Sequence, residues 1–153
     1  MAAVAVETVR QRVATALEAV SGWTESTYLS PLWDSANMLG LSPHKRFGVF
    51  PSSTTTAGRR ETQKIRNRPG GSMVTTRLDV RWMWRVRSDS QVADLDAALA
   101  AERILISAAV SDPAGTDVRW VLVSATRRPT PDGEAAFIDG TFSIDCLHQI
   151  DLE

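Results

Sequence analysis

A single cysteine, Cys146, in a chain of 153 residues excludes any intrachain disulfide and gives no sign of an oxidising compartment. Only two histidines are present, His44 and His148, so no zinc-ligand spacing can be assembled, and neither a metal nor a cofactor is expected. Long apolar runs are missing too. The longest, Ile104 to Val110, has seven residues including Ser107, whereas a membrane span needs about twenty. Neither a transmembrane helix nor a membrane partner is expected. The start, Met1 to Val6, carries no basic region before Glu7, so no signal peptide is expected. Nucleophile elbows, Walker loops, HExxH, EF-hand loops and dinucleotide glycine fingerprints are absent, and each absence removes a class of enzyme.

The few groups that could do chemistry read as structural. Cys146 and His148 share a strand face, but residues two apart in a strand hold their β-carbons roughly 7 Å from each other, too far for direct cooperation. Asp145, Asp139 and Glu134 fall on a strand and its hairpin as a solvated acidic edge. No catalytic residue is assigned.

What is present is the composition of one domain spanning 1–153: 43% hydrophobic, 23% charged, 9 Gly and 7 Pro. The formal net charge of -1 conceals a segregation. Residues 44 to 87 hold eleven basic residues against Glu61 and Asp79, a net +9, whereas residues 88 to 153 carry a net -8. Such halves can neutralise each other within one fold, join unlike faces of neighbouring subunits, or bind a polyanion.

Val6, Val9, Val13, Leu17 and Val20 step by three and four, predicting an amphipathic helix over about 4 to 21 with Gly22 as a left-handed stop. Ser30, Pro31 and Gly40 suggest the bounds of a short helix. His44 to Pro51 reads as a strand. Thr54 to Ser72, with almost no large apolar residue, reads as a long basic hairpin loop. Val74, Thr76, Leu78, Val80, Trp82, Trp84 and Val86 then alternate with Thr75, Arg77, Asp79, Arg81, Met83, Arg85 and Arg87, a long half-buried strand. A second helix is expected over about 91 to 110, followed by a strand through Trp120 and Leu122, a turn at Asp132-Gly133, and a final strand from Phe142 to Ile150.

This order predicts an α+β fold: a four-stranded, mainly antiparallel sheet from two hairpins, with both long helices packed on one face. Trp82, Trp84 and Trp120 should meet the helices, while the Arg77, Arg81, Arg85 ladder should face solvent or a neighbour. The loop at 54–72 concentrates Arg59, Arg60, Lys64, Arg66 and Arg68. Within it, Arg66-Asn67-Arg68-Pro69 resembles the Arg-Gly-Arg-Pro core of an AT-hook, with Asn67 in place of glycine, which supports an alternative reading as a small nucleic-acid-binding module.

The whole layout resembles the tail terminator proteins of long-tailed bacteriophages. The likeness rests on the helix ending near Gly22, the run His44-Lys45-Arg46-Phe47-Gly48-Val49, the long basic loop and the Val74 to Val86 strand. It continues through the Gln91 to Val110 helix, with Asp94, Asp96, Ala97 and Glu102, and the closing Phe142 to Ile150 strand. The resemblance implies a non-enzymatic virion protein, present in the host cytoplasm during assembly. Its homo-oligomeric ring, a hexamer in the family, would cap the tail tube, stop polymerisation of the tail tube protein and join the neck or head-completion protein. DNA would pass through the ring rather than be bound by sequence. Another neck or tail-completion protein could share this layout. On this reading the basic loop and Arg77, Arg81 and Arg85 engage a neighbouring subunit or the tube end, and Asp89, Asp94 and Asp96 offer the reciprocal surface.

Overall fold

The computed structural model describes residues 3–26, 44–56, 72–111, 118–132 and 135–151. Helix α1 spans Val6–Glu18, strand β1 Thr24–Glu25, β2 Arg46–Thr56, β3 Ser72–Val86, helix α2 Gln91–Val110, β4 Arg119–Asp132 and β5 Ala135–Ile150. The strands form one sheet in the order β1-β2-β3-β5-β4. Strands β2 and β3, β3 and β5, and β4 and β5 pair antiparallel, whereas β1 pairs parallel with β2.

The fold is α+β, but the expected four-stranded, mainly antiparallel sheet is replaced by a five-stranded mixed one. The added strand has a local cause. Helix α1 ends at Glu18 with Ala19 as its cap, short of the expected Gly22 stop; Gly22, at φ +86, instead turns the chain beside β2, where Thr24 N–H donates to Lys45 O (3.1 Å) and Ser26 N–H to Phe47 O (2.8 Å). Two residues are too few to leave any periodicity in a sequence. Arg10 fastens the segment by donating to Glu25 at 2.8 Å. The loop expected over Thr54 to Ser72 is shorter at both ends, because Thr54, Thr55 and Thr56 pair with Thr76, Thr75 and Val74 and Ser72 opens β3. Its residues 57–71 and the short helix expected between Ser30 and Gly40 lie outside the described residues.

The sheet turns one face to the helices. Leu78, Val80 and Trp82 of β3, Phe142, Ile144 and Cys146 of β5, and Phe47 and Val49 of β2 are buried there. They share one core with Val9, Val13 and Leu17 of α1 and Ala98, Leu105 and Ala109 of α2. Trp84 and Trp120 are partly buried and pack against that core. Each large side chain fully buried contributes about 1.5–3 kcal/mol. Alternation fails at Met83, which belongs to the outer set yet is fully buried, as is Phe137 nearly so on the same face. This end of the sheet is shielded from both sides.

The N-terminus completes the sheet. Where β4 has not yet begun, Ala3 bridges Gln149 of β5 and Val4 N–H donates to Gln149 O at 2.7 Å. His148 secures the join: its Nδ1–H donates to Val4 O (2.8 Å), so its Nε2 accepts from the Thr76 hydroxyl (2.8 Å). Burial lowers the pKa of this imidazole and keeps it neutral.

Candidate functional site

The outer face of the sheet carries the charged ladder, and its arginines are largely engaged within the chain. Because the side chains of a strand alternate, Arg77 of β3 lies directly opposite Asp145 of β5, while Arg81, opposite Thr141, reaches diagonally along the same face to Asp139. Arg77 holds Asp145 through Nε (2.9 Å) and Nη2 (3.1 Å), and Arg81 holds Asp139 in the same forked manner at 3.0 and 2.8 Å. The Asp145 carboxylate raises the pKa of Arg77 through that hydrogen bond and its charge. Asp139 is buried and also accepts from Arg128 at 3.4 Å. Asp79 accepts from Ser143 at 2.6 Å. Only Arg85 of the three ladder arginines is exposed with no carboxylate partner among the described residues.

The expected acidic surface at the start of α2 is also divided. Asp94 is buried and turned inward, where it accepts from Arg87 N–H (2.7 Å), Nε (3.1 Å) and Nη2 (3.0 Å), clamping the end of β3 to the helix. These hydrogen bonds lower its pKa. Asp89 and Asp96 remain exposed. Glu102 of α2 is likewise buried and paired with Arg127 of β4. Three ion pairs, Arg77–Asp145, Arg81–Asp139 and Arg87–Asp94, thus join the basic segment to the acidic one inside a single chain. The simple picture of opposite charges shown on separate faces gives way to a partly self-neutralised fold. Arg59, Arg60, Lys64, Arg66 and Arg68 lie outside the described residues.

The groups weighed for chemistry are scattered: Asp139 and Asp145 belong to the outer ion pairs, and Glu134 lies outside the described residues. Cys146, in the core shared with the helices, and His148, between Thr76 and the Val4 carbonyl, are fully buried, and among the described residues no cluster of three or more potential metal ligands occurs. His44 stacks edge-on against Trp84 at 4.8 Å and accepts from Arg85 N–H at 3.0 Å. Burial, then Lys45 and Arg85, lower its pKa. Lys45 Nζ lies 5.4 Å from the centre of the Trp84 ring. An open cleft of about 450 Å³ lies along Arg81, Thr126, Arg127, Arg128, Asp139 and Thr141.

Two features that alternation alone does not reveal are the sheet edges. On β4, Val121, Leu122 and Val123 are 62%, 44% and 43% exposed in succession, beside a register shift between Leu122 and Ser124. On the opposite edge, among the described residues, β2 is paired with β1 at Arg46 and Phe47 alone, beyond which Phe50 is 53% exposed and Ser52 to Thr56 are all exposed. Unpaired edges expose backbone donors and acceptors and are surfaces for adding a strand. No protein-family model matches the chain, and no curated protein matches it in sequence.

Proposed function

We propose that the chain is a non-enzymatic virion subunit. Copies close head to tail into a ring, hexameric by resemblance, that caps the tail tube of a long-tailed bacteriophage at its head-proximal end. The ring ends polymerisation of the tube protein, lets DNA pass and gives the neck or head-completion protein its joining surface. The observation that carries this reading is the pair of unlike sheet edges: an apolar, bulged edge on β4 and a hydroxyl-rich edge with Phe50 on β2. Different surfaces on opposite sides of one subunit make a heterologous contact, which closes into a ring or runs on as a filament. The layout resemblance supplies the ring's place in the virion.

Charge plays a secondary part, because the ion pairs of the outer face consume much of it internally. The basic segment 57–71, with Arg59, Arg60, Lys64, Arg66 and Arg68, together with Arg85 and the exposed Asp89, supplies the groups left to meet a neighbour or the tube. The test is the mass of the purified protein by light scattering, alone and with tail-tube subunits. A ring that fixes tube length is expected. A monomer that leaves tube length unchanged would overturn the reading, and binding to the neck side without effect on tube length would reassign the chain to another neck or completion protein.

A further inference from the structure

Helix α2 has its charges the wrong way round for a surface helix. Of its four charged residues, Asp94 and Glu102 point inward and are buried, paired with Arg87 and Arg127. Its outer face instead shows Val92 at 73% and Ile104 at 51% exposure, with exposed Ala93, Ala97 and Ala100 between them and exposed Ser107 beyond. Large apolar side chains left in the open on a helix mark a face that something covers. The two charges left on the outer face, Asp96 and Arg103, are exposed and make no hydrogen bond or ion pair among the described residues.

Their spacing fits a second copy of the same helix. Seven residues apart, they lie on the same side of the helix and about 10 Å apart along it. When two copies of α2 run antiparallel about a two-fold axis between Leu99 and Ala100, position 96 of one falls opposite position 103 of the other. We propose that a second copy of this chain docks on the outer face of α2 in this antiparallel, isologous manner, each Asp96 pairing with Arg103 of the other copy. Ala100 at the crossing lets the helices approach closely, and Ile104 of each copy seats over Ala93 and Ala97 of the other. Helices with small residues at the crossing pack at the short end of the usual 8–10 Å separation. The match is self-complementary, as a two-fold contact requires. One helix face buries less than the roughly 800 Å² per partner of a standard interface, so the contact is weak and concentration-dependent.

This contact uses neither sheet edge, so its failure is separate from failure of the ring. The test is solution mass against concentration for the full chain and for charge-reversed variants at these exposed positions. Wild type should double its mass as concentration rises, from monomer to dimer or from one ring to two. Asp96→Arg or Arg103→Asp alone should abolish the doubling, because each sets like charges opposite each other. Combining both reversals should restore it. Ala100→Cys should form a disulfide-linked dimer on mild oxidation, and Ser107→Cys, far from the axis, should not. No doubling in wild type, no effect of the single reversals, or no restoration in the double variant would each overturn the proposal. Circular dichroism melts of the variants confirm that the fold is intact.

Discussion

The indole of Trp82 lies flat across Gly140 of the neighbouring strand, so close that a β-carbon built there would stand 2.0 Å from Cε2 of the ring. The largest fully buried side chain thus occupies the space that a side chain at position 140 would take. Gly140 sits in the rung between Trp82 and Arg127, and Arg127 reaches on to Glu102 of α2, so one missing methyl governs how helix and sheet meet.

Gly140→Ala is expected to destabilise the chain at or above the roughly 1–3 kcal/mol typical of overpacking, since the ring has no room to withdraw. In a Trp82→Leu background the same change should cost markedly less. Urea denaturation of the four proteins in this cycle measures the coupling. Equal costs in both backgrounds would show that the ring does not depend on this glycine.

Stability should fall as pH drops below about 6.5, the ordinary imidazole value. His148 and His44 both have lowered pKa values in the folded chain, the first through burial and the second through burial with Lys45 and Arg85. The unfolded chain then binds protons first, so the stabilisation is complete above the unfolded pKa and is lost as pH falls toward the folded ones. Thermal melts between pH 7.5 and 4.5 should show this slope, reduced in His148→Gln and further in the variant lacking both histidines. Amide exchange at Val4 should quicken in acid as the N-terminal bridge loosens.

Asp139 and Asp145 should differ sharply although both pair with an arginine of β3. Asp139 is buried beneath two guanidinium groups, and Asp139→Asn strands Arg81, whose side chain is 26% exposed. The expected loss is about 2–3 kcal/mol, below that of a wholly buried pair because Arg81 keeps some water. Asp145→Asn should cost far less and respond to salt, the Arg77 pair being open to screening. Denaturation at low and high salt separates them.

Val121→Lys and Val123→Lys alter exposed positions on an edge strand, so monomer stability should change by no more than about 0.5 kcal/mol. Assembly should weaken, because a lysine on an edge opposes strand addition. Light scattering at matched concentration reads the outcome, and an unaltered mass distribution would remove β4 from the subunit contact.

Much of the element order was legible in the sequence because it follows from periodicity, which is local. The step of three and four through Val9, Val13 and Leu17 marks α1, the two-residue alternation from Val74 to Val86 marks β3, and the predicted second helix coincides with Gln91–Val110. The inward side of β3 follows from the same rule, since one face of a pleated strand must be apolar.

Tertiary structure alone decided the rest, for two physical reasons. Pairing between distant residues leaves no local pattern: the parallel strand β1 is two residues long, and Arg81 meets Asp139 only because β5 lies beside β3. Burial likewise depends on what lies across the fold, so Asp94 and Glu102 of α2 turn inward to arginines of β3 and β4 while Val92 and Ile104 face out. A string of residues determines which sides an element has, but only its packed neighbours determine which of those sides is left open.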